Sequence, residues 1–257
     1  MNKVAQVTVS FWIMKICATT LGETAGDLLS MTMNVGYAMS SAILLSLFLL
    51  SLVSQVRAKA FHPLLYWTVI LTTSTAGTTM SDFMDRSLEL GYAKGSMILI
   101  SCLIAVLAAW RLSQKSLSVS YIQTTRAELF YWAAILISNT LGTALGDYLA
   151  DDSGLGFAGG AALIGGLLMA VVLITWLTPV NRVLLFWVAF VLTRPFGATF
   201  GDLLTKTPQQ GGLGFGTIGS SAILAGILAG LVIYSRFTHK RAALPAGAPT
   251  AAPAEPA

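Results

Sequence analysis

The chain has 257 residues, of which 55% are hydrophobic and only 10% charged, and its formal net charge is +4. Soluble domains carry about a quarter charged residues, so this composition excludes a soluble fold and makes lipid the main solvent. The positive excess then belongs to the loops on one membrane face, and no nucleic-acid partner is implied.

In chain order, apolar runs fall at about residues 7–29, 36–56, 63–84, 91–111, 127–149, 155–177, 181–204 and 213–236. Each is near the roughly 20 residues that cross a hydrocarbon core. The first run contains Lys15, Glu23 and Asp27, which the apolar core of a cleavable leader tolerates poorly, so it is expected to be retained. Cys17 and Cys102 lie alone in separate runs and read as small core residues. His62 and His239 are the only histidines, which removes a haem held between two intramembrane histidines and a His-rich zinc site. No cofactor is expected. There is no HExxH, no P-loop and no nucleophile with its base, so the chain does not read as an enzyme.

One block recurs four times: Trp, nine residues, Gly, three residues, Gly or Ser, then Asp. The copies are Trp12, Gly22, Gly26, Asp27; Trp67, Gly77, Ser81, Asp82; Trp132, Gly142, Gly146, Asp147; and Trp187, Gly197, Gly201, Asp202. Each copy supplies two spans, so every copy enters from the same side and the repeats are parallel, related by rotation about the membrane normal. The expected fold is therefore an all-α membrane protein with eight transmembrane helices in four two-helix repeats. The tryptophans are 55, 65 and 55 residues apart, which divides the chain into repeats one and two (1–110), a linker (111–126), repeats three and four (127–236) and a disordered tail (237–257).

Loop charges set the orientation, because cytoplasmic loops are enriched in Lys and Arg. Lys3, Arg57, Lys59, Arg111, Lys115, Arg126, Arg182, Arg236, Lys240 and Arg241 fall on one side, against Arg86, Lys94 and Lys206 on the other. Both termini are expected in the cytoplasm of a bacterium, with the chain in its inner membrane. Each Trp then lies near the cytoplasmic end of its helix, where it is expected to anchor at the lipid interface. The small pairs, Gly22 and Gly26, Gly77 and Ser81, Gly142 and Gly146, Gly197 and Gly201, are expected to pack helix on helix.

Steps of four back from each Asp trace one helical face. The faces read Lys15, Thr19, Glu23, Asp27; Ile70, Ser74, Thr78, Asp82; Ile135, Asn139, Thr143, Asp147; and Phe190, Arg194, Ala198, Asp202. Intramembrane charges cost at least about 2.5 kcal/mol and normally line a bundle interior or a pathway. Glu23, Asp27, Asp82, Asp147 and Asp202 are therefore candidate ligands for a cation, with Lys15, Thr19, Ser74, Thr78, Asn139, Thr143 and Arg194 along the pathway. An alternative places the four Asp residues at the outer interface as caps, with Lys15 salt-bridged to Glu23 and Arg194 beside Pro195 serving as a counter-ion for Asp202. Thr20, Thr75 and Thr140, one position further round, are expected to bond backbone carbonyls a turn earlier.

These blocks resemble a bacterial inner-membrane family defined by a tandem repeat of unknown function, in which four copies each supply two spans and one tryptophan. The resemblance covers about residues 7–236 and implies architecture without mechanism. Function is expected from the acids. Their oxygens suit a hard divalent ion such as Mn²⁺, moved across the membrane by a transporter or exporter, with proton coupling through Glu23. The competing expectation is a non-transporting scaffold whose polar faces set helix packing.

Overall fold

The computed structural model describes residues 4–119, 122 and 124–242, and among these it holds eight α-helices and no β-strand. They are α1 (Val9–Asp27), α2 (Tyr37–Arg57), α3 (Pro63–Asp82), α4 (Tyr92–Gln114), α5 (Thr125–Asp147), α6 (Gly156–Leu177), α7 (Arg182–Thr205) and α8 (Thr217–Ala242). Their starts are written locally. Thr8, Thr124 and Asn181 accept from the first free backbone N–H groups of α1, α5 and α7, and Pro63 opens α3 where no N–H is needed. Gly36 and Gly91 precede α2 and α4 at φ of +81° and +72°, a turn that a residue with a Cβ rarely makes.

The odd-numbered helices form a closed inner ring, in which α1 packs on α3, α3 on α5, α5 on α7 and α7 back on α1. The even-numbered helices lie outside, with α2 on α3, α4 on α5, α6 on α7 and α8 on α1. The second helix of each repeat thus clamps the first helix of the next. Within their apolar windows, 22% to 28% of the outer-helix residues are buried, against 67% in α5 and 56% in α7. The polar face explains the division, since a helix bearing ionic groups must turn them away from lipid.

Six helices are long and apolar enough to cross a membrane: α2, α4, α5 with the turn after it, α6, α7 and α8 to Arg236. This is a multi-pass membrane protein. α1 and α3 fall short because Lys15, Glu23 and Asp27 charge the first, and hydroxyl residues from Thr72 to Ser81 fill the second.

Two expected boundaries shift. α4 continues to Gln114, which shortens the linker, and α8 continues to Ala242, beyond the point at which the tail was expected to begin. The tail from 243 onward lies outside the described residues. After Asp27, Asp82 and Asp147 the chain continues into a five-residue π-helical turn, whereas α7 ends at Thr205 and Lys206 leaves it extended. The longer connection before Gly214 accompanies that change.

The small pairs bring the inner helices together. A Cβ on Gly22 would lie 2.2 Å from Ser74 Oγ, on Gly26 2.9 Å from Thr78, on Gly77 2.9 Å from Asn139, on Gly142 2.3 Å from Arg194 and on Gly146 2.7 Å from Ala198. Gly197 and Gly201 close the ring, with a Cβ reaching 2.6 Å from Thr19 and 3.0 Å from Glu23. Each repeat's small residues therefore make space for the polar face of the next.

The tryptophans depart from the expected lipid anchors. Trp67, Trp132 and Trp187 are buried, and Trp12 is half-buried. Each follows another aromatic residue, and the doublets join into a closed collar around the ring. Phe11 meets Trp67 at 5.7 Å between ring centroids, Trp67 meets Tyr66 at 5.4 Å, Tyr66 meets Trp132 at 5.6 Å, and Trp132 meets Tyr131 at 5.0 Å. Tyr131 then meets Trp187 at 6.5 Å, Trp187 meets Phe186 at 5.5 Å, and Phe186 returns to Phe11 at 6.4 Å. Edge-on and tilted contacts between large rings repay burial inside protein more than exposure at a headgroup. The hydroxyls of Tyr66 and Tyr131 complete the collar with a 2.7 Å hydrogen bond.

Candidate functional site

The four Asp residues lie about four helical turns beyond the collar, roughly 22 Å along each helix from its Trp, and all four are buried. They converge in two pairs, each holding one cation. Arg86 contacts Asp82 at 3.1 Å and Asp147 at 3.3 Å, joining repeats two and three. Lys206 contacts Asp27 at 2.6 Å and Asp202 at 3.1 Å, joining repeats four and one. Both cations lie four residues after an Asp of their own repeat, one helical turn on; the same position holds Met31 and Asp151 in the other copies. Burial opposes the charge on Lys206, but the Asp202 and Asp27 carboxylates outweigh it and hold its pKa above the ordinary lysine value.

Deeper in the ring, Arg194 donates to Glu23 at 2.9 Å with both side chains buried. Thr143 and Thr78 surround the pair: Arg194 donates to both hydroxyls, at 2.7 Å for Thr143, and these donate to Glu23 at 3.4 and 3.3 Å. Arg194 also reaches the Thr19 and Ser74 carbonyls at 3.5 Å. Thus Arg194 serves Glu23 and not Asp202, and Glu23 is bridged by Arg194 rather than by Lys15. Geometry decides this, because Arg194 and Asp202 are two turns apart on one helix, about 12 Å, whereas the ring sets Glu23 opposite. Lys15 instead donates to Asn139 Oδ1 at 3.4 Å and lies 4.1 Å over the Phe190 ring, while Asn139 donates to Thr73 at 3.0 Å.

Glu23, Asp147 and Asp202, from three different repeats, present carboxylate oxygens within 4.8 Å of one another. Oxygen ligands on opposite sides of a hard cation at about 2.4 Å are themselves about 4.8 Å apart, so the spacing fits one shared ion. Three cations, Arg86, Arg194 and Lys206, touch the five acids. With every acid ionised, the cluster is two positive charges short.

A family model for the Repeat of Unknown Function (DUF347) matches four times, over residues 10–61, 65–116, 130–180 and 185–241. The chain belongs to the DUF347 repeat family. Each DUF347 match takes in one inner helix and the outer helix that follows it. No curated protein and no solved structure matches the chain.

Sequence reasoning missed Arg86 and Lys206 as partners of the acids, although their spacing from Asp82 and Asp202 was the available signal. It missed the collar residues Phe11, Tyr66, Tyr131 and Phe186, each directly before a repeat Trp. It also passed over Asp85, a buried acid that accepts from Ser81 at 3.1 Å. Thr20, Thr75 and Thr140 donate to carbonyls four residues earlier, at 3.0, 3.2 and 3.0 Å.

Proposed function

We propose that this protein is a transporter of a small hard cation, a divalent metal such as Mn²⁺, held by Glu23, Asp147 and Asp202 with Asp27 and Asp82 beside them. One observation carries the reading: acids from separate repeats meet inside the ring and lack two positive charges, which one divalent ion or two protons supply. Five resident cations, one to each acid, would leave nothing to transport, whereas Arg86 and Lys206 are each shared between two acids. Protons competing for the same carboxylates give a route to coupling.

In this reading all eight helices span a bacterial inner membrane as four parallel repeats about its normal, with both termini cytoplasmic. The loop bias of Lys and Arg supports that orientation. The collar then closes the cytoplasmic side and the acids face outward. α1 and α3 are accommodated because their polar faces meet other helices instead of lipid.

The test is a deletion strain, scored for metal content and tolerance. Wild-type protein restores both, and Glu23→Gln or Asp147→Asn at equal membrane abundance restores neither. Equal rescue removes the intramembrane site.

One observation favours a second reading, a non-transporting scaffold: each of the five acids contacts an internal cation. Under it, neutralised variants lose thermal stability and leave metal content unchanged.

A further inference from the structure

The two cations at the acidic end are mounted differently. Arg86 sits within a π-helical turn, between the rings of Tyr37 and Tyr92 at 6.0 and 5.8 Å, and Tyr92 is tied in turn to Asp151 at 3.3 Å. Lys206 belongs to the repeat that lacks such a turn. Its backbone leaves α7 extended, at φ −67° and ψ 154°, and runs into the short 3-10 turn Pro208–Gln210 and the positive-φ glycines Gly211, Gly214 and Gly216. A long glycine-bearing connection can take up a backbone change that a packed helical turn resists.

Lys206 also lies at the one place where the ring closes without a chain connection. α1 reaches α3 through α2, α3 reaches α5 through α4, and α5 reaches α7 through α6, but α7 meets α1 by packing alone. Because α8 packs on α1, parting α7 from α1 draws on a single stretch of chain, the 206–216 connection between α7 and α8. The same seam carries the chemistry, since Lys206 Nζ stands 2.6 Å from Asp27 and 3.1 Å from Asp202. Asp202 is shared with the group of Glu23 and Asp147, and Gly201 lies against Glu23.

We propose that Asp27 and Asp202 form the entry subsite for the transported cation, and that Lys206 is its tethered occupant, withdrawing to open the ring between α7 and α1. This rests on the transport reading. Exchange of one ammonium for one free cation keeps the subsite's carboxylates compensated throughout, which avoids the cost of baring buried charge. The incoming ion then passes along Asp202 to Glu23 and Asp147.

The test uses the full chain in lipid nanodiscs, comparing wild type, Lys206→Met and Lys206→Arg by Mn²⁺ binding followed by electron paramagnetic resonance and by amide hydrogen exchange. Removing the competitor in Lys206→Met is expected to tighten Mn²⁺ by about tenfold, the order of one ion-pair contribution. It is also expected to speed exchange in segments 24–33 and 203–216 while sparing 83–92 and 148–155. Lys206→Arg should keep wild-type behaviour. Mn²⁺ binding by wild type that Lys206→Met leaves unaltered overturns the subsite alone, as does faster exchange spread equally over all four segments. Failure of every form to bind Mn²⁺ overturns the transport reading together with it.

Discussion

Arg194 and Glu23, 171 residues apart in sequence, meet at 2.9 Å across the contact between the fourth and first repeats, with neither side chain open to solvent. Removing one member of a buried pair strands the other charge, at about 3–5 kcal/mol, whereas removing both is far milder. Arg194→Met alone is therefore expected to lower thermal stability in detergent more than Arg194→Met with Glu23→Gln. Additive losses in that cycle would contradict the pairing.

The small residues of the ring give a sharper packing test. Gly22→Ala drives a methyl group to 2.2 Å from Ser74 Oγ and is expected to cost about 1–3 kcal/mol by overpacking. Gly166 on α6 faces open space, and Gly166→Ala should be neutral or gain up to about 1 kcal/mol of helix propensity. Equal unfolding midpoints for the two variants would remove the close approach of α1 and α3.

Lys206 has a folded-state pKa raised above its ordinary 10.5, because Asp202 and Asp27 outweigh the burial that opposes its charge. A raised cationic pKa stabilises fully below the unfolded value, and that stabilisation is lost as pH rises through the folded one. The melting difference between wild type and Lys206→Met should thus stay level between about pH 7 and 10 and shrink only at higher pH. A difference already falling from pH 7 to 9 would show that Lys206 is not held by those carboxylates.

Much of the architecture was legible in the sequence because the repeat is a pattern of spacing, and spacing on a helix becomes geometry directly. Trp-to-Asp blocks in phase gave the repeats, and the small pairs gave the helix contact. Which charge meets which was not legible. Arg194 looks toward Asp202 along one helix, yet the ring sets Glu23 nearer, and only the order of helices around the ring decides that. Burial of Trp67 and Trp132 was hidden for a related reason: an amphipathic ring suits either a lipid interface or an aromatic collar, and sequence position near a helix end does not separate the two. The π-helical turns were invisible too, since Leu28–Thr32 and Phe83–Ser87 share no distinctive composition.

The most direct measurement of the central claim is Mn²⁺ flux into proteoliposomes holding the purified full chain, followed with an entrapped fluorescent indicator at several pH values. The account predicts saturable flux above protein-free vesicles, abolished by Glu23→Gln and by Asp147→Asn in variants that still fold. Flux equal to that of empty vesicles, or carried equally well by both variants, contradicts it.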